Sequence, residues 1–178
     1  MTLRAAYPLE RVTRWDQALA QRCNRASHVP WVRFVFCSVS RLGDGIAWYA
    51  LMLALLIHMG VDAVVPVVHM IGVGAACTVF YKLVKRNVPR LRPFETNVSV
   101  VLFAAPLDRF SFPSGHTLHA VGFTLVAIWH YPALAWVTVP FTLLVAASRV
   151  LLGLHYPSDV LVGAAIGATV AIASLGGS

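Results

Sequence analysis

Long apolar runs alternate with short clusters of polar and charged residues along most of this chain. Five of the runs approach or reach the length of a helix that crosses a hydrocarbon core about 30 Å thick. They cover residues 44–60, 63–83, 115–131, 133–151 and 159–175. The pattern predicts an all-α, integral-membrane bundle of about five to six transmembrane helices.

Small residues are concentrated in the second and fifth runs. Glycine and alanine let helix backbones approach closely, and membrane helices use them at their contacts. Gly163 and Gly167 lie one helical turn apart and form such a face. We interpret this face as a contact between helices of the same chain rather than as a dimerisation signal.

The N-terminal part of the chain carries arginines among its apolar positions. In residues 9–26, five apolar side chains recur every three or four positions: Leu9, Val12, Trp15, Leu19 and Cys23. Such an amphipathic helix either lies in the membrane interface or docks on the rest of the protein. Residues 29–42 are apolar but short, and Arg33 interrupts them. We expect a second interfacial or partly re-entrant helix there.

Gly43 and Gly45 predict a turn after this second helix. We therefore divide the chain into an amphipathic N-terminal part, residues 1–43, and a membrane-embedded core, residues 44–178.

The composition supports a membrane protein. Hydrophobic residues make up 58% of the chain and charged residues 12%, with a mean hydropathy of +0.74, whereas soluble domains are about 25% charged. The net charge of +7 does not indicate nucleic acid as a partner, because the basic residues lie beside apolar runs. They fit a surface that faces anionic lipid or phosphate. The three cysteines lack metal-ligand spacing, so neither a metal site nor a cofactor is expected.

Three polar segments interrupt the apolar pattern: residues 85–93, 112–117 and 148–159. The first segment follows the second apolar run, the second segment opens the third run, and the third segment joins the fourth and fifth runs. Alternating crossings place all three segments on one face of the membrane. Lysines and arginines also collect on that face, so the positive-inside rule favours the cytoplasmic side, here of a bacterial inner membrane.

Each polar segment has a chemical interpretation and a plainer alternative. In the first, Lys85 and Arg92 suit a phosphate group, although basic residues also anchor helices at a membrane surface. In the second, Ser114 and Gly115 precede a helix whose N–H groups can bind an anion, with His116 placed for proton transfer. The plainer alternative there is a capped turn.

The third segment contains Arg149, His155 and Asp159. A carboxylate that accepts a hydrogen bond from one imidazole nitrogen leaves the other nitrogen free to attack. A histidine–aspartate surface pair is the plainer alternative. Taken together, two histidines, three cationic side chains and a helix N-terminus predict a phosphoryl-transfer site that does not require a metal.

The three segments resemble the signature of the type-2 phosphatidic acid phosphatase superfamily, which also contains the vanadium haloperoxidases. That signature reads K-x6-R-P, P-S-G-H and S-R-x5-H-x3-D, and here it is complete and in order. The resemblance covers residues 44–175. It implies a membrane phosphatase, and a haloperoxidase is disfavoured because those relatives are typically soluble.

The resemblance also implies roles for the residues. His155 would be the nucleophile that forms a phosphohistidine, oriented by Asp159, and His116 would protonate the leaving group and then activate water. The remaining motif residues would hold the phosphoryl oxygens: Lys85, Arg92, Ser114, Gly115 and Arg149. We expect Asp108 and Arg109 to shape the entrance to the site. His119, one turn after His116, is interpreted as a packing residue rather than as half of a metal pair.

The predicted function is hydrolysis of a terminal phosphate from a membrane lipid phosphate or diphosphate. Polyprenyl diphosphate is preferred, followed by phosphatidylglycerophosphate and phosphatidic acid. Two alternatives remain open: a phosphotransferase that uses the same phosphohistidine, and a non-catalytic lipid-binding membrane module. The expected partners are the substrate lipid and the bilayer.

Overall fold

A computed structural model describes residues 6–176, with side chains from residue 13 onwards. Within that part of the chain every regular element is helical, which confirms the predicted all-α class. The α-helices are α1 (Ala6–Ala26), α2 (Pro30–Arg41), α3 (Ala47–Met59), α4 (Val64–Asn87), α5 (Pro93–Thr96), α6 (Gly115–His130), α7 (Ala135–Leu151) and α8 (Pro157–Leu175).

The five predicted membrane runs correspond to α3, α4, α6, α7 and α8. Three helical stretches of the described chain have the length and hydropathy of a membrane crossing: Pro30–Asn87, Pro132–Leu151 and Pro157–Leu175. The first of these contains α2, α3 and α4. Many large apolar side chains point outwards from these helices, among them Ile57, Val65, Leu143 and Leu161. An apolar exterior is what a lipid environment requires.

The predicted turn at Gly43 and Gly45 is a kink between two helices. Helices α2 and α3 join through a π-helical segment, Leu42–Ile46, in which Gly45 leaves the helical conformation, with φ at 127°. Gly43 lies against Val145 of α7, and a Cβ atom there would come within 3.0 Å of that side chain. The glycines therefore serve close packing and a kink inside a helical stretch. The division between residues 43 and 44 stays a prediction.

Helix α1 docks on the rest of the protein, one of the two predicted alternatives. Its buried face consists of Asp16, Ala20 and Asn24, and buried Ser27 follows the helix on the same side. These residues lie beside the predicted apolar stripe rather than on it. Asn24 donates to the carbonyl oxygens of residues 101 and 151, each at 2.9 Å. Trp15, on the stripe, remains 54% exposed. The side chains of Leu9 and Val12 lie outside the described residues.

Helix α6 lies at the centre of the bundle and packs against α4, α7 and α8. The closest approach is to α8, where a Cβ atom on Gly167 would come within 2.2 Å of the Leu118 carbonyl oxygen. On Gly163 it would come within 2.6 Å of the Ser114 carbonyl oxygen. The predicted small-residue face is thus confirmed as a contact within the chain. It fixes the N-terminus of α6 beside that of α8.

Candidate active site

The three polar segments meet at a cavity of about 450 Å³ between α3, α4, α6 and α7. Five of the predicted site residues line it: Arg92, Gly115, His116, Arg149 and His155. The other three predicted residues, Lys85, Ser114 and Asp159, are buried directly behind that lining. Helix connectivity therefore brings the signature together as expected.

His155 lies in the loop between α7 and α8 and is only 2% exposed. Its Nδ1 is 2.6 Å from the carbonyl oxygen of Ser111. A carbonyl oxygen can only accept, so Nδ1 carries the proton and Nε2 has a free lone pair. Burial lowers the pKa of His155 to about 4, so the imidazole is neutral near pH 7. This is the protonation state that a nucleophile needs.

Asp159 does not make the predicted hydrogen bond to His155. Its Oδ2 is 3.7 Å from His155 Nδ1, beyond hydrogen-bonding distance. Instead Oδ2 accepts from the backbone N–H of Tyr156 at 2.8 Å, and Oδ1 accepts from Arg90 Nη1 at 2.6 Å. These two donors hold the carboxylate at the start of α8. The Ser111 carbonyl oxygen, rather than Asp159, accepts the hydrogen bond from the imidazole.

Arg92 and Arg149 are each 2% exposed and line the cavity. Arg92 donates from Nη1 to the carbonyl oxygen of Leu154 at 2.7 Å, and Arg149 donates from Nη1 to the hydroxyl of Ser40. Within the described part of the chain, the Nε–H of each guanidinium has no hydrogen-bond partner. Buried donors without a partner are costly. Two buried guanidiniums that line one cavity fit a site for an oxyanion.

Asp108 bridges Lys85 and Arg92, two of the cations of the first polar segment. Its Oδ1 is 2.6 Å from Lys85 Nζ and 2.9 Å from Arg92 Nη2, and its Oδ2 accepts from Tyr81. Burial alone would raise the pKa of Asp108, but the hydrogen bonds from Lys85 and Tyr81 and the two positive charges outweigh it and lower that pKa. Asp108 is thus an ionised counter-charge in the lining of the cavity, and its predicted role at the entrance stays a prediction.

The second polar segment begins α6 as predicted, with Ser114 at the N-cap position. However, its hydroxyl bonds to the Thr117 hydroxyl at 3.0 Å and makes no capping bond. Gly115 is required sterically, because a Cβ atom there would lie 2.7 Å from the ring of Tyr81. His116 pairs through Nε2 with Asp44, which the kink between α2 and α3 brings to the cavity.

His119 lies between α4 and α6 and also lines the cavity. Its Nδ1 donates to the carbonyl oxygen of Gly115 at 2.8 Å, and its Nε2 is 3.0 Å from the hydroxyl of Thr78.

The sequence interpretation missed Arg90, Asp16, Asp44 and the carbonyl of Ser111. Arg90 could have been found from the sequence, because it lies inside the first polar segment. Asp44 carried a weaker signal, as an acid between two glycines at the edge of an apolar run. Asp16 and the Ser111 carbonyl had none, since only the packing of α1 and of the loop before α6 gives them partners.

Comparison with known proteins gives an independent view of the chain. The model of the PAP2 superfamily matches residues 62–176. A decaprenylphosphoryl-5-phosphoribose phosphatase of Mycobacterium tuberculosis is 41% identical over 99 residues, which cover 53% of this chain and 52% of that protein. An undecaprenyl-diphosphatase of Sulfolobus acidocaldarius is 28% identical over 144 residues, covering 77% and 66%. The chain thus spans about half the length of the first relative.

Solved structures match over more of the chain. LpxE of Aquifex aeolicus superposes with a TM-score of 0.77 at 28% identity, covering 89% of this chain and 93% of that one. A PAP2-type phosphatidylglycerolphosphate phosphatase of Bacillus subtilis superposes with a TM-score of 0.70 at 24% identity, covering 93% and 85%. The second match concerns the fold alone.

Proposed function

Because this chain belongs to the PAP2 superfamily, we propose that it is an integral-membrane phosphatase that removes a terminal phosphate from a lipid phosphate or diphosphate. The observation that carries the proposal is that two buried guanidiniums, those of Arg92 and Arg149, line one cavity together with His116 and His155. A phosphoryl group would supply oxygen acceptors for both guanidiniums.

In the first step, Nε2 of His155 attacks phosphorus while the bond from phosphorus to the leaving oxygen breaks. Protonated His116 delivers its proton to that oxygen, and a phosphohistidine is left. In the second step His116 takes a proton from water, the resulting hydroxide attacks phosphorus, and the phosphorus–nitrogen bond breaks. Inorganic phosphate leaves and both imidazoles return to their starting states.

The cationic groups act on the phosphoryl oxygens during both steps. Arg92, Arg149 and the N–H of Gly115 offer donors to them, with the positive end of the α6 dipole behind. Lys85 donates to the phosphate once the phosphate has displaced the Asp108 carboxylate from it. Ser114 acts indirectly, because its hydroxyl holds Thr117 rather than facing the cavity.

The lipid tail would lie in the apolar part of the cavity. This part is formed by Met52 of α3, by Ile71 and Ala75 of α4, and by Phe123 of α6. Along α4 it extends for about ten residues from Tyr81, or about 15 Å into the bundle. A slot of this kind admits a tail sideways from the bilayer while the phosphate meets the polar residues.

A polyprenyl diphosphate or phosphate is the preferred substrate. Two relatives are named for activity on undecaprenyl diphosphate and a decaprenyl-linked phosphate. Phosphatidylglycerophosphate and phosphatidic acid follow as candidates. The proposed location is a bacterial inner membrane with the cavity at its cytoplasmic side.

Phosphate release by detergent-purified protein tests the proposal. The panel contains polyprenyl diphosphate, phosphatidylglycerophosphate, phosphatidic acid and a soluble phosphoester, each with and without EDTA. We expect release from a lipid that survives EDTA and is lost in His155→Ala. Full activity of His155→Ala would refute the mechanism. Release only when a lipid or sugar acceptor is present would instead identify a transferase.

A further inference from the structure

Helix α1 reaches the polar segments through Asp16, which is completely buried. Its carboxylate accepts from Arg90 Nη2 at 2.7 Å, from the backbone N–H of Ser158 at 3.0 Å and from the Ser158 hydroxyl. Both partners belong to the polar segments, 74 and 142 positions away in the sequence. A buried carboxylate with this many donors is held in one place.

Arg90 lies between two carboxylates. While Nη2 binds Asp16, Nη1 donates to Asp159 Oδ1 at 2.6 Å and to the Ser158 hydroxyl at 2.8 Å. The guanidinium also stacks on the ring of Tyr156, 4.0 Å from its centroid. These contacts restrain Arg90, so Asp16 helps to hold Oδ1 of Asp159, while the backbone N–H of Tyr156 holds Oδ2.

The arrangement also sets the charge next to the nucleophile. If Arg90 were paired with Asp159 alone, its positive charge would neutralise that carboxylate. Because Asp16 shares the guanidinium, Asp159 keeps negative charge 3.7 Å from His155 Nδ1. The imidazole becomes cationic when Nε2 is phosphorylated, and a nearby negative charge stabilises that cation.

We propose that Asp16 is a positioning residue that acts through Arg90: it holds the Asp159 carboxylate, with its negative charge, beside His155. Asp16 lies outside residues 62–176, the part matched by the family model. The inference rests on the proposed phosphatase function and adds α1 to its machinery.

Asp16→Asn tests this role, because the amide keeps the shape of the side chain but removes the charge. We expect kcat to fall by up to about 100-fold, the cost of a small misplacement of reacting groups. KM and competitive inhibition by inorganic phosphate should stay near wild type, since Asp16 contacts neither Arg92 nor Arg149. A lower kcat with unchanged anion binding distinguishes a local effect beside the nucleophile from general disorder of the site.

Asn24→Ala is the matched control. Asn24 lies on the same buried face of α1 and docks it on residues 101 and 151 without touching Arg90. We expect a lower melting temperature and a nearly normal kcat. Three results would overturn the inference: a normal kcat in Asp16→Asn, a loss of affinity for inorganic phosphate as large as its loss of kcat, or the same kcat loss in Asn24→Ala. Absence of phosphate release by the wild-type protein would instead remove the proposed function itself.

Discussion

At the scale of single residues, the site is organised by which acceptor atom each hydrogen-bond donor contacts. The tautomer of His155 follows from one carbonyl oxygen, that of Ser111, and not from the carboxylate that the signature suggested. The guanidiniums of Arg92 and Arg149 are each held by a hydrogen bond from Nη1 to the protein, and both line the cavity. Two predictions belong to this scale.

Replacing Asp108 with asparagine should strengthen anion binding. A phosphate that binds Lys85 and Arg92 has to displace this carboxylate, and a charge-assisted hydrogen bond is worth about 1.5 kcal/mol or more. We expect the inhibition constant of orthovanadate to fall about tenfold, since 1.4 kcal/mol is a factor of ten. Glu95→Gln is the control, because Glu95 binds the backbone of Arg92 outside the cavity. Weaker vanadate binding in Asp108→Asn would show that Asp108 holds the cations in place.

The depressed pKa of His155 predicts a pH-dependent stability. Its pKa is about 4 in the folded chain and about 6.5 when unfolded. Between these values the unfolded chain binds more protons, so stability falls as the pH drops from 6.5 to 4, by at most about 3 kcal/mol. The melting temperature of His155→Gln in detergent should therefore decrease less than that of wild type between pH 7 and pH 4.5. His58→Gln, at an exposed position, should behave like wild type; equal decreases in all three proteins would contradict the assignment.

At the scale of helices, the site depends on the close contact between α6 and α8 and on the slot beside α4. The first aligns two helix N-termini, each of which carries part of the signature. The second connects the polar end of the cavity with its apolar part. Each can be changed without touching a reacting group.

Gly167→Ala should destabilise the bundle. The added methyl group would meet the carbonyl oxygen of Leu118 at 2.2 Å, and overpacking of this kind costs about 1–3 kcal/mol. We expect a lower melting temperature together with lower activity, because the second and third polar segments move apart. Gly72→Ala is the matched control in α4, since a Cβ atom there would meet nothing within 4 Å. An unchanged melting temperature in Gly167→Ala would contradict the packing.

Ala75→Trp should narrow the slot for the lipid tail. Ala75 lines the cavity away from the polar residues, so a large side chain there hinders a long tail but leaves the phosphate site intact. We expect KM to rise for a polyprenyl substrate and to stay unchanged for a soluble phosphoester. Val79→Trp, on an exposed position of the same helix that does not line the cavity, should be neutral. Equal effects on both substrates would place the tail elsewhere.

At the scale of the whole molecule, the polar residues of the site lie at one end of the bundle and the apolar exterior surrounds it. The opposite end carries exposed Trp129 and Trp136, residues that favour a membrane–water interface. His69 and His130 form a hydrogen-bonded pair at that end, 3.1 Å apart. The bundle therefore has two chemically different ends, and its orientation in the membrane can be measured.

Cysteine labelling in intact cells should report a cytoplasmic site. After Cys23, Cys37 and Cys77 are replaced, single cysteines are introduced as Ser99→Cys near the site and Val61→Cys in the turn between α3 and α4. A membrane-impermeant maleimide should label residue 61 in intact cells and residue 99 only after the membrane is disrupted. The reverse result would place the cavity on the outer side.

The amino-acid sequence by itself determined the helical class, the extent of most helices and the meeting of the three polar segments. Apolar runs of crossing length can satisfy their backbone only as helices, and alternating crossings place Lys85, His116 and His155 at one end. The packing of α8 on α6 was also readable from Gly163 and Gly167. These features depend on local pattern and chain connectivity, which a sequence displays directly.

Only the tertiary structure decided which residues contact and support the signature residues. Asp16 reaches Arg90, Asp44 reaches His116, and the Ser111 carbonyl displaces Asp159 from the imidazole because of how α1, the π-helical kink and a loop pack. Each contact joins residues that are 44 to 74 positions apart. A hydrogen bond depends on distances of a few tenths of an ångström, and periodicity along the chain cannot specify those distances.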